Sequence, residues 1–167
     1  MDINTLWDNF FTKSKTDSIV DFLKSISLFE DLKTGEILRL ERTLHKRHYR
    51  KGEVIFNEGE PGAALYIVKE GEVEIVINYD TEPIILTKLS SGMFFGEIAL
   101  FDETPRSATV VASKESEIIA LSKPDFILFS QKEPFIGLKI VMRLGEILSI
   151  RLKRSNKQIE ELKSSHA

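Results

Sequence analysis

The chain has 167 residues of even composition, a length that suits one domain of ordinary size. It contains no cysteine, which excludes disulfide scaffolds, thiol catalysis and Cys-based zinc sites. With 23 Lys+Arg against 26 Asp+Glu the net charge is −3, which argues against a dedicated nucleic-acid binder, so DNA is not an expected partner.

The opening Met1-Asp2-Ile3-Asn4 has neither the basic nor the apolar part of a secretory signal. No apolar run reaches the length of a membrane span. The expectation is a cytoplasmic protein without a membrane partner.

Up to about His45 the chain reads helical. Leu6, Trp7, Phe10 and Phe11 form one apolar stripe, Lys13 to Ser18 is a polar joint, and Ile19, Phe22, Leu23 and Ile26 repeat the helical spacing. Thr34 is the expected N-cap of a helix carrying Ile37, Leu38, Leu40 and Leu44. From about Lys46 to Lys123 the pattern changes. Short runs of Val, Ile, Tyr and Phe are separated by Gly52, Gly59-Glu60-Pro61-Gly62, Gly71, Asp80-Thr81-Glu82-Pro83 and Ser90-Ser91-Gly92. Val73, Ile75 and Ile77 alternate with Glu74 and Val76, which predicts a half-buried strand. Such spacing predicts a β-barrel or sandwich. After Pro124 helix returns, first as a short segment over Asp125–Phe129 that Pro134 ends or follows. A longer helix then carries one stripe of Phe135, Leu138, Val141, Leu144 and Leu148. Its charged end, Arg151 to Lys157, reads as a solvated helix terminus.

The stretch from Phe94 to Thr109 carries the chemistry. Gly96 lets a ligand approach the backbone where a Cβ would intrude. Glu97 to Phe101 suits one helical turn with free N–H groups, and Ala99 keeps the space beside it small. Pro105 stiffens the chain before Arg106, whose planar fork matches two phosphate oxygens. Glu97 would be repelled by a phosphate, so its role is to accept a hydrogen bond from a sugar hydroxyl. One singly charged phosphate beside a free ribose hydroxyl describes a cyclic nucleotide. A nucleoside triphosphate would require a Lys, a Mg²⁺ ligand and a longer glycine loop.

This segment resembles the phosphate-binding cassette of cyclic-nucleotide-binding domains, found in cyclic-AMP-dependent kinase regulatory subunits, gated channels and bacterial catabolite activators. A second block agrees: Tyr49-Arg50-Lys51-Gly52-Glu53-Val54-Ile55-Phe56-Asn57-Glu58-Gly59, then Leu65-Tyr66-Ile67-Val68 and Gly71-Glu72-Val73. The resemblance covers about Ile26 to Leu152. It implies a mainly β fold with flanking helices, an eight-stranded antiparallel jelly-roll barrel with N-terminal helices and a C-terminal lid helix. The expected division is an N-terminal helical segment (1–25), the cyclic-nucleotide-binding β-roll (26–134), and the C-terminal helix with its charged tail (135–167).

The same resemblance places the ligand on Gly96, Glu97, Ile98, Ala99, Arg106 and Ser107. Gly96 and Ala99 would offer backbone N–H groups to the cyclic phosphate, Glu97 would take the ribose 2′-hydroxyl, and Arg106 would hold the exocyclic oxygens. Ser107 would add a backbone and a hydroxyl donor, a position compatible with cyclic AMP or cyclic GMP, with cyclic AMP favoured. Ala63-Ala64 stands where many relatives carry an acidic residue, and is expected to touch the barrel corner more than the pocket. After Leu148 the remaining length suits one helix, so no DNA-binding part is expected.

Competing readings are plainer. Glu97 and Arg106 could be an exposed ion pair. His45 and His48 could suggest a metal, but with only His166 besides them they read as surface groups, and no metal or other cofactor is expected. No nucleophile–base pair recurs at usable spacing, so no catalytic residues and no enzyme are expected. The function read from the sequence is a sensor that binds a cyclic nucleotide and signals to an unknown downstream protein through its C-terminal helix. That helix could alternatively form a homodimer. The other reading is an orphan domain of the same fold that acts as a protein-interaction module.

Overall fold

In the computed structural model, residues 19–165 are described. The Leu6, Trp7, Phe10 and Phe11 stripe, the 13–18 joint and His166 lie outside them.

Eight strands form two four-stranded antiparallel sheets. They are β1 (His45–Tyr49), β2 (Val54–Phe56), β3 (Ala64–Glu70), β4 (Glu72–Ile77), β5 (Ile84–Ser90), β6 (Phe94–Phe95), β7 (Thr109–Ala112) and β8 (Ser116–Ser122). One sheet runs β1-β8-β3-β6 and the other β2-β7-β4-β5, the interleaved order of a jelly roll. The β3–β4 corner is a single residue, Gly71, at φ 88°, where a Cβ would stand 2.3 Å from the Glu115 carbonyl oxygen. Only glycine makes that turn.

Burial explains why Leu65-Tyr66-Ile67-Val68 shows no polar alternation: both faces of its sheet are covered. Leu65 and Ile67, with Ile119 and Leu121 of β8, join a core built with the helices, while Tyr66, Val68 and Ile118 face the second sheet beside Phe56, Val73, Phe95 and Val110. In β4 the expected period is broken. Val73 and Val76 are buried and Ile75 is only half-buried. Opposite this point β5 carries a bulge, with Leu86 the extra residue between Thr87, paired with Ile75, and Ile85, paired with Val76.

Among the described residues, four helices cap the first sheet. They are α1 (residues 19–25), α2 (Thr34–Glu41), α3 (Lys123–Lys132) and α4 (Pro134–Ser165). Thr34 is the first helical residue of α2 rather than its cap. The Glu36 carboxylate instead accepts from the Lys33 N–H at 2.8 Å. Ser122 caps α3 by accepting from the Asp125 N–H at 3.1 Å, and Pro134 starts α4.

The α4 stripe divides between two faces. Ile136, Ile140 and Leu144 are buried in the core, with Ile147 and Leu148 packed against it, whereas Phe135, Leu138 and Val141 are exposed. The expected stripe joined residues from both, because 3.6-residue spacing admits either grouping. At its first turn α4 crosses α3 so closely that a Cβ on Gly137 would stand 2.5 Å from Ser130 Oγ. Lys139 Nζ to Glu36 (2.9 Å), Arg143 Nε to the Ser27 carbonyl (2.9 Å) and an Arg143–Glu30 ion pair fasten the same half of α4 to the N-terminal helices. Among the described residues no helix is long and apolar enough to cross a membrane.

Candidate functional site

β6 delivers the chain to Gly96, which is left-handed at φ 69°, and a 3₁₀ turn follows over Glu97–Leu100. The expected helical turn is thus present in a tighter form. The returning loop is pinned at Arg106 on both backbone groups: its N–H donates to the Glu60 carbonyl and its carbonyl accepts from the Gly59 N–H, each at 2.8 Å. With its backbone clamped, the Arg106 side chain turns inward and is 8% exposed.

The Arg106 guanidinium donates from Nη1 to the Gly96 carbonyl at 3.2 Å and from Nη2 to the Ala64 carbonyl at 3.0 Å. Its Cζ lies 4.1 Å from the Phe56 ring centroid and 5.5 Å from that of Tyr66. Burial lowers its pKa from the ordinary arginine value, opposed by Tyr66 and Glu60. Nε is buried without a hydrogen-bond partner. A cation is therefore held against aromatic faces and two carbonyls with one donor unsatisfied, an arrangement that favours a bound anion. Ala64, expected at the barrel corner, supplies one of the carbonyls that aim it.

Around Arg106 opens a cavity of about 530 Å³. Gly96, Glu97, Ile98, Ala99, Arg106 and Ser107 all line it, so the six expected positions meet in one place. Phe56, Ile75, Leu89 and Val110 make its apolar wall, and Thr87 and Asp102 are polar groups on its lining. A Cβ on Gly96 would lie 2.8 Å from Arg106 Nη1, and one on Gly62 would lie 2.8 Å from the Ala99 Cβ. Small residues at 62, 96 and 99 let the turn close on the guanidinium.

Glu97 does not pair with Arg106. Its side chain is buried, and its Oε1 accepts a hydrogen bond from Arg151 Nη1 on α4. Arg151 also lies over Phe94, with Cζ 4.7 Å from the ring centroid, and Arg154 lines the same cavity one turn on. Both arginines belong to the stretch read as a solvated helix end; the stretch is exposed, but Arg151 and Arg154 also line the cavity. The available signal was their three-residue spacing, which puts both on one helical face. His45, weighed as a metal ligand, hydrogen-bonds Asp125 at 3.0 Å.

Residues 46–133 match the family model of the cyclic nucleotide-binding domain. The chain is 37% identical over 92 residues to a cAMP-dependent protein kinase regulatory subunit of Mycosarcoma maydis, covering 55% of this chain and 18% of that one. It is 30% identical over 146 residues to the cyclic AMP receptor protein of Thermus thermophilus, covering 87% and 66%. A cyclic nucleotide-binding domain from Methylobacillus flagellatus superposes with a TM-score of 0.74 at 26% identity, over 86% of this chain and 81% of that one. The chain spans under a third of the length of several curated relatives. The fold, the cassette and these likenesses agree: the chain belongs to the cyclic nucleotide-binding domain family, whose role is regulatory and not catalytic.

Proposed function

We propose that this chain is a non-enzymatic sensor that binds a cyclic nucleotide, cyclic AMP in preference to cyclic GMP, in the Arg106 cavity. The observation that carries the reading is the buried guanidinium of Arg106, a residue of the cavity lining whose Nε has no hydrogen-bond partner. Arg106 holds the exocyclic phosphate oxygens while Gly96 and Ala99, with Ile98 between them, present the backbone of the turn. Ser107 adds a donor beside the phosphate. The base lies against Phe56, Ile75, Leu89 and Val110. Cyclic AMP is favoured because the Thermus relative is named a cyclic AMP receptor protein, and because a single Ser107 hydroxyl supplies only about 0.5–1.5 kcal/mol toward guanine.

Glu97 gives the ligand a route to α4. One carboxylate oxygen holds Arg151, and an ionised carboxylate has lone pairs enough to accept the ribose 2′-hydroxyl as well. Sugar and helix then share one group, and occupancy shifts the position that α4 presents to a downstream protein.

Parallel calorimetric titrations with cyclic AMP and cyclic GMP test the ligand. At 100 times Kd the ligand adds about 2.7 kcal/mol of stability, readable as a thermal shift. Heat and shift with neither nucleotide would leave the interaction-module reading in its place, and tighter binding of cyclic GMP would reverse the preference. Hydrogen exchange over residues 135–160, with and without nucleotide, tests the route to α4. Unchanged protection there removes it.

A further inference from the structure

The chain is acidic as a whole, yet between Arg39 and Lys51 it carries six of its 23 Lys+Arg, two of its three histidines and a single acid, Glu41. The core of this run is β1, whose first four residues are all exposed. Arg39, His45 and Arg47 pair with Glu133, Asp125 and Glu53. Among the described residues, no side-chain hydrogen bond or ion pair holds Arg42, Lys46, His48, Arg50 or Lys51.

β1 is also an edge strand, bonded to β8 alone. Which of its backbone groups face outward follows from the ladder on the other side of β8. The Lys123 N–H donates to the Ala63 carbonyl at 2.8 Å, just outside the Ala64–Ser122 pair, which marks that pair as one whose own backbone groups point away from each other. By the alternation of an antiparallel ladder, Ala120 and Ile118 then turn their groups toward His45 and Arg47. Lys46 and His48 are left with N–H and C=O groups aimed at the open edge. Their side chains lie on one face of the strand, next to those main-chain groups.

This combination selects the occupant. A lipid surface or a nucleic-acid duplex meets the cations but leaves the edge groups to water, whereas an extended chain uses both. A second copy of β1 is opposed by charge, because antiparallel pairing about Arg47 sets Lys46 against His48 and Arg47 against itself. We propose that the open edge of β1 takes up an extended acidic segment of a partner protein as a fifth strand of its sheet. Acids at alternate positions of that segment fall opposite Lys46 and His48. The residues between them fall on the face of Arg47, which Glu53 already neutralises, and are uncharged. The inference does not depend on which ligand the cavity takes.

The probe is a capped heptapeptide of alternating glutamate and valine, with a lysine-for-glutamate counterpart as control. Titrated to about 1 mM into the isotope-labelled full chain, the acidic peptide is expected to shift the amides of residues 45–51 and to slow exchange of the Lys46 and His48 amides. The lysine peptide is expected to do neither. Lys46→Glu is expected to weaken the acidic peptide about tenfold and to gain binding of the lysine peptide. His48→Ala keeps the edge N–H, and His48→Pro deletes it without touching the bonds to β8. The proline variant is therefore expected to bind about tenfold more weakly than the alanine variant, at unchanged circular dichroism. Equal binding by the two variants overturns the proposal, since charge alone then holds the probe. So does the absence of saturable binding, a set of shifts centred away from β1, or a DNA duplex or phosphatidylserine vesicle that binds β1 more tightly than the peptide.

Discussion

Arg106→Ala separates the role of this residue in binding from its role in folding. In the folded protein the change removes the donors to Gly96 and Ala64 and the stacking on Phe56 and Tyr66. The Gly96 carbonyl keeps the Ala99 N–H at 3.3 Å, while the Ala64 carbonyl loses its Arg106 donor at about 1–3 kcal/mol, and the lost cation–π contact costs about 1 more. Against this, a buried cation and its orphaned Nε disappear, which offsets part of the loss. The net expectation is destabilisation of at most about 3 kcal/mol, or a fall in Tm of less than roughly 10 °C for a chain of this length. Binding suffers more, because a bound phosphate would lose its buried counter-charge. That truncation costs about 2–5 kcal/mol, or roughly thirty-fold to several thousand-fold in Kd. Arg106→Lys is expected to fall near the alanine variant, since a single ammonium cannot span two carbonyls and an anion. The assay is calorimetric titration with cyclic AMP alongside urea unfolding. A folded Arg106→Ala protein that binds within threefold of the parent would refute the reasoning.

Gly96→Ala puts a side chain at φ 69° and 2.8 Å from Arg106 Nη1, so a loss of about 1–3 kcal/mol in denaturant stability and weaker nucleotide binding are expected. Leu144→Ala empties a site 1% exposed where α4 meets the core, and is expected to cost about 2–5 kcal/mol in the same unfolding assay. Glu36 has its pKa lowered from the ordinary 4.5 by the Lys33 N–H and by Lys139, against a smaller opposing effect of burial. Its contribution is therefore complete above the unfolded-state pKa and lost as pH falls through the lowered folded value. Acid titration of stability should show a slope below about pH 4.5 that Glu36→Gln reduces. An identical slope in the variant would remove Glu36 from the account.

The cassette was legible because its information is local. Gly96, Ala99 and Arg106 lie within eleven consecutive residues, and the left-handed turn at Gly96 and the small space at Ala99 follow from the residue types alone. Gly52, Gly59, Gly71 and Gly92 were legible as corners for the same reason, and each has positive φ. What was hidden depends on distance along the chain. Arg151 finds Glu97 across 54 residues, and only the docking of α4 brings it there, so a basic run looked like solvated helix. Splitting Leu144 from Phe135 and Leu138 required knowing which side of α4 the barrel covers. The bulge at Leu86 in β5, opposite Ile75 and Val76, left no mark in the sequence of either strand.

The close crossing of Gly137 on Ser130 makes α4 a lever with its fulcrum near one end. At 1.5 Å per residue, Arg151 stands about 21 Å from that crossing and the far end of the helix about 42 Å. A tilt of about 10° about Gly137 therefore displaces Arg151 by about 4 Å and the far end by about 7 Å. Whatever moves Arg151 at the cavity moves the tail twice as far. A rearrangement no larger than the exchange of one hydrogen-bond partner at Glu97 is thus magnified by leverage alone, while Leu144, about 10 Å from the crossing, shifts by only about 2 Å against the core.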